Sequence, residues 1–114
     1  MPAGRPKIWV GEKLEKAKEG IIEQLSLGVP MGTIAKQEGM PSIMQIWRME
    51  RDDEKFREDV ARASEQGTNM MAAQCIEIAD DPDIDPKNKR VMVDTRLKLI
   101  GKWNRKIYGD KLDQ

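Results

Sequence analysis

No histidine occurs anywhere in the chain, and cysteine occurs once, at Cys75. The first absence removes histidine general bases, histidine metal ligands and Ser-His-Asp triads. The second removes internal disulfides and cysteine zinc clusters, and one unpaired thiol suits a reducing compartment. Only five residues are aromatic: Trp9, Trp47, Phe56, Trp103 and Tyr108. No apolar run approaches the roughly 18 residues of a membrane span, and the N-terminus lacks an apolar signal stretch. Strand-type alternation is absent. No G-x-x-x-x-G-K-[ST] phosphate loop and no nucleophile–base pair can be assembled, so the sequence reads as a non-enzyme with no cofactor and no metal.

What is present is charge, evenly balanced: 20 basic and 20 acidic side chains among 114 residues. The balance is uneven along the chain. Residues 1–53 carry 8 of each sign, residues 54–85 carry 3 basic and 9 acidic groups, and residues 86–114 carry 9 basic and 3 acidic. Complete cancellation between the last two blocks is read as pairing within the fold. Lys98 and Lys102 are then expected to border a helix seam and reach carboxylates across it. A chain this small, with so few large side chains, buries little surface by itself, so self-association is expected.

The pattern is all-α. Residues 1–11 hold two prolines and two glycines and read as a flexible arm. Leu14, Ala17, Ile21, Ile22 and Leu25 fall at helical steps within Glu12–Leu27, and Gly28 stops that helix. A short second helix follows Pro30, with Ile34 and Ala35 inward, and ends at Gly39. Ser42 and Gln45 have capping-box spacing and open a third helix, with Ile43, Ile46 and Trp47 as its buried face. A long helix spans Glu54–Asp80. Its stripe of Phe56, Val60, Ala63, Gly67, Met70/Met71, Gln74/Cys75 and Ile78 follows alternating steps of 4 and 3, as heptads do. Asp85-Pro86 caps and starts the last helix, with Val91, Thr95, Leu99, Trp103 and Ile107 in an i+4 row.

Two functional signals follow. The short helix, the turn at Gly39 and the helix from Ser42 make a helix-turn-helix arrangement over 12–53. The exposed residues of its second helix, Ser42, Met44, Gln45, Arg48 and Arg51, are placed to meet DNA, with glutamine suited to adenine and arginine to guanine or phosphate. Lys36 beside the turn, and Arg5 and Lys7 of the arm, complete the candidate DNA-binding set. The hairpin over 54–108 is the oligomerisation candidate, through Phe56, Val60, Ala63, Gly67, Met71, Cys75, Ile78, Val91, Leu99 and Trp103, with residues 109–114 as a tail. Arg105, Lys106 and Lys111 lie beyond most of the acidic block and are candidates for binding a partner. A helix-turn-helix transcription regulator and a helical adaptor that binds no DNA share these features.

Specific motifs add a resemblance that favours a third reading beside these two. Val93-Asp94-Thr95-Arg96, Trp103-Asn104 and Arg105-Lys106-Ile107-Tyr108-Gly109-Asp110-Lys111 occur in an order and spacing that resembles small terminase subunits of tailed double-stranded DNA phages, of the short-tailed Shigella phage type. Ala3-Gly4-Arg5-Pro6, Gly39-Met40-Pro41, Phe56-Arg57 and Glu77-Ile78-Ala79-Asp80 match as well. The resemblance implies a protein in the host cytoplasm that binds viral DNA at the packaging-initiation region. It also implies a ring of eight or more subunits that serves a large subunit holding the ATPase and nuclease. In the family the helical hairpins build the ring and the helix-turn-helix units surround it. Three departures stand out. Met49 replaces a family tryptophan, Asn104-Arg105-Lys106 lacks the family proline, and the family's C-terminal strands do not follow Lys111.

Overall fold

The computed structural model describes residues 9–103, and among them there are five helices and no strand. They are α1 (Gly11–Ser26), α2 (Met31–Ala35), α3 (Ile43–Asp52), α4 (Glu54–Asp80) and α5 (Pro86–Trp103). The expected all-α class is the observed one. Each boundary has a local cause. Gly28 (φ +91°) takes the left-handed conformation that ends α1. Proline at position 30 precedes α2, which runs only to Ala35; turns continue to a second left-handed residue, Gly39 (φ +83°). Ser42 and Asp53 cap α3 and α4 with side-chain oxygens, and Asp85 caps α5 by accepting from the Asn88 amide at 2.9 Å.

The core lies where α1, α2, α3 and the first half of α4 meet. Ile21, Leu25, Ile34 and Ile46 join Phe56, Val60 and Ala63 in one buried cluster. The cluster crosses Asp53, so the beginning of the long helix shares its interior with the three-helix unit. This corrects the reading of Phe56, Val60, Ala63 and Gly67 as a free subunit seam: α1 already covers them. The small residues have a defined purpose there. A Cβ on Gly67 would collide with the carbonyl oxygen of Leu25 and reach within 3.3 Å of the Gly28 Cα. The end of α1 therefore rests directly on the α4 backbone. Met71 and Ile78 are buried farther along, and Cys75 is half-buried.

The second half of α4 packs antiparallel to α5. Arg96 Nε donates to Gln74 Oε1 at 2.9 Å, and Lys89 Nζ donates to the Ala79 carbonyl at 2.9 Å. The contacting face of α5 is Lys89, Met92, Val93, Arg96, Leu99, Ile100 and Trp103, all half-buried. The expected row through Val91 and Thr95 is corrected: both are exposed. Each i+4 step turns about 40° around a helix of 3.6 residues per turn, so a long i+4 row winds off the interface. Alternating steps of 3 and 4 stay on it. Leu99 and Trp103 keep their places; Ile107 and Tyr108 lie outside the described residues.

Charge pairing differs from expectation too. Among the described residues no ion pair joins 54–85 to 86–103. The pairs that form are local or reach from α1, as with Lys18–Asp53, Lys55–Asp59 and Arg62–Asp59. Lys98 and Lys102 are exposed and turned away from α4, because the true seam passes through Leu99, Ile100 and Trp103. No helix among the described residues is long and apolar enough to cross a membrane.

Candidate nucleic-acid interface

The helix-turn-helix unit is held by polar contacts that leave one face of α3 free. Gln24 of α1 and Gln37 of the turn form a reciprocal amide pair at 2.8 and 2.6 Å. Pro41 is fully buried, so the chain enters α3 on a fixed path. The capping box is complete: Gln45 N donates to Ser42 Oγ at 3.2 Å, and Ser42 N donates to Gln45 Oε1 at 2.8 Å. Two of the helix's four unpaired N-terminal donors are thereby satisfied or protected.

That cap changes the expected role of Gln45. Reading adenine takes both the amide oxygen and the amide nitrogen of a glutamine. Here the oxygen is committed to the cap. Gln45 is thus a positioning residue for α3, and its nitrogen alone remains available outward.

Ile46 is fully buried and Met49 packs against the core, with Ile43 and Glu50 half-buried on the same side. Trp47 is the correction on this helix. It was expected in the core and is 55% exposed. One residue past Ile46 is a turn of about 100°, and the line through residues 43, 46 and 49 or 50 leaves it outside. The outward stripe is Met44, Trp47, Arg48 and Arg51, at spacings of 3, 4 and 7. Met44 is 54% exposed. Arg51 pairs with its neighbour Asp52 at 3.1 Å, and Arg48 has no ion-pair partner among the described residues. Lys36 and Ser42 are exposed at the turn, on the approach to this face. Arg5 and Lys7 lie outside the described residues, as do Arg105, Lys106 and Lys111. Trp9 lies under Lys13, whose Nζ is 4.7 Å from the ring centroid.

The junction behind this face carries the unit's electrostatics. Asp53 is both the α4 cap, accepting from Phe56 N at 3.2 Å, and the partner of Lys18 Nζ at 2.6 Å. Lys18 is well covered, with 14% of its side chain exposed, and its ammonium lies 5.5 Å from the Phe56 ring centroid. One carboxylate thus fixes α1 to the α3–α4 corner. The Lys18 hydrogen bond first, and the Phe56 amide second, hold Asp53 below its ordinary value of 3.8. Arg62 and Lys55 hold Asp59 low as well. Burial pushes Glu50 upward, against the pull of Arg57.

A pH prediction follows. A carboxylate depressed in the folded state stabilises fully above its unfolded value, and loses that effect as pH falls through the folded value. Stability is therefore expected to fall below about pH 4 as these groups protonate. Asp53→Asn keeps a good cap but loses the charge. Its melting temperature should fall at neutral pH and converge on that of the parent in acid. Parallel melts across that range check it; a constant difference at every pH would sink the assignment.

Comparison with known proteins adds a likeness of sequence and of fold. A family model described as bacteriophage Sf6, terminase small subunit-like, matches residues 13–114. Solved structures of the terminase small subunit gp1 of the bacterial virus Sf6, in three point-mutant forms, superpose with a TM-score of 0.70. Two are 27% identical and one 26%, each covering 91% of this chain and 79% of that chain. No curated protein matches.

Proposed function

The chain belongs to the Sf6-type family of terminase small subunits, and from that premise we propose how its surfaces divide the work of starting genome packaging. Through α3 it recognises viral double-stranded DNA at the packaging-initiation site. Through the α4–α5 hairpin it assembles as a ring of eight or more copies. It delivers the DNA to the large subunit holding the ATPase and nuclease, and regulates that subunit in the host cytoplasm. Arg105, Lys106 and Lys111 are the residues assigned to the large-subunit contact, and Arg5 and Lys7 to a minor-groove arm.

The observation that carries this reading is the surface left unused on the hairpin. Helix α5 has 18 residues and buries none of them fully. Its outer side carries Lys87, Arg90, Lys98 and Lys102, with one carboxylate, Asp94, among them, around exposed Val91 and Leu97. The outer side of α4 carries Glu58, Glu65 and Asp80, with Arg62 among them, and Ala72 and Ile76, the last 66% exposed. The two helices thus present opposite charge, each with an apolar centre, and do not pair with each other. A head-to-tail contact, α5 of one copy against α4 of the next, satisfies both, and such contacts form a ring when the rotation from copy to copy closes. The radius of gyration, 16.7 Å, against about 13 Å for a compact chain of this length, fits a hairpin projecting from the helix-turn-helix unit.

Sedimentation of the purified protein tests the ring. Eight copies of a 13.0 kDa chain weigh about 100 kDa. A mass of twice the chain would overturn the ring in favour of a two-fold regulator, which reads palindromic sites. For DNA, each subunit supplies few cations, so single-site binding is weak and the ring gains by avidity. Arg48→Ala with Arg51→Ala is expected to weaken binding and to lower the slope of log K against log salt, by up to about two units per engaged subunit. An unchanged slope would move the contact off α3.

A further inference from the structure

We propose that α3 reads thymine, through the exposed Trp47 and Met44. This inference rests on the DNA-binding reading above and specifies the chemistry it recognises.

The outward stripe of α3 has four members, and each is limited in what it can recognise. Arg48 and Arg51 present guanidinium groups, suited to phosphate and to guanine. Met44 and Trp47 present only apolar surface to a groove, apart from the indole N–H. Gln45, the side chain best suited to adenine, has its oxygen bound to Ser42 N at 2.8 Å and is excluded from two-point reading. Beyond the arginines, the groups this stripe itself presents to a groove are apolar. The major groove offers one strongly apolar group, the thymine C5-methyl.

The placement supports contact with nucleic acid over burial in the fold. Trp47 sits between Met44, three residues before it, and Arg51, four after it, with Arg48 adjacent. More than half of its surface is open to solvent. The core is complete without it, since Ile46 fills the interior position and Met49 packs beside it. Arg48 and Arg51, one and four residues after the indole, place cations for phosphate beside it. A site of thymines next to guanine is the sequence class this surface fits.

The test uses the full-length protein and a pool of duplexes with a randomised centre, prepared once with thymine and once with uracil, which lacks only the methyl. The parent protein is expected to prefer the thymine pool, by about fourfold for each methyl engaged. Trp47→Ala should lose that preference, bind about tenfold more weakly, and keep its melting temperature and salt slope. Trp47→Phe should restore part of the preference. Arg48→Ala should do the reverse, lowering the salt slope while keeping the preference. Equal binding of both pools by the parent overturns the proposal. So does a Trp47→Ala variant that binds DNA as the parent does, which would assign the indole to a protein partner. If the parent binds neither pool at any salt, the DNA reading of α3 fails as a whole, a result distinct from either.

Discussion

Gly67→Ala is expected to lower the melting temperature by about 5–15 °C, although alanine is the better helix former. Two effects oppose each other at this position. Alanine in a helix interior gains about 1 kcal/mol over glycine. Against it, the added methyl falls on the carbonyl oxygen of Leu25 and crowds Gly28. Both are backbone atoms and cannot swing aside as a side-chain end would. Relief requires α1 and α4 to part, which loosens Ile21, Leu25, Val60 and Ala63 together. Overpacking typically costs about 1–3 kcal/mol, occasionally more, and a methyl pressed on two backbone segments puts this site at the upper end. The steric effect wins, and each net kcal/mol is worth about 4–8 °C in a domain of this size. Gly101 supplies the control, because a Cβ there meets nothing within 4 Å. Gly101→Ala should raise melting slightly. Thermal melts of the two variants under identical conditions decide the matter: equal stabilisation by both would refute the close crossing of α1 and α4.

Ile76→Asp combined with Leu97→Asp is expected to reduce the assembly to monomers while leaving the helices folded. Both side chains are exposed in the single chain, at 66% and 53%, so the substitutions remove little from its own core. In a head-to-tail ring each lies within the contact, and burying an unpaired carboxylate costs several kcal/mol. The penalty recurs at every interface around the ring, so the expected change in mass is large. Val60→Asp and Met71→Asp would not make this test. Those side chains are 8% and 2% exposed within the chain, and charging them unfolds the protein. Sedimentation together with far-ultraviolet circular dichroism separates assembly from folding. A doubly substituted protein at parental mass would place the ring contact elsewhere.

Much of this molecule was legible in its sequence because local rules set it. The bounds of α4, the cap at Ser42 with Gln45, the stop at Gly28, and the start at Asp85-Pro86 follow from side chains bonding to amides within three residues, or from glycine and proline backbone limits. The stripe along α4 was legible as well, since periodicity shows which residues turn inward. The motifs around Val93–Arg96 and Gly39–Pro41 pointed to the family.

Periodicity does not say what an inward stripe meets. Only the tertiary structure decided that α1 covers the first half of the α4 stripe, so that Gly67 serves a crossing within one chain. It also decided that Trp47 stands outside, and that the α5 seam runs through Met92, Arg96 and Leu99 and leaves Val91 outside. The acidic and basic blocks cancel in number, but α5 turns its lysines away from α4. The physical reason is common to all four. Side-chain direction turns about 100° per residue, so an error of one residue moves a group from seam to solvent, and only the packing of one helix on another selects the angle.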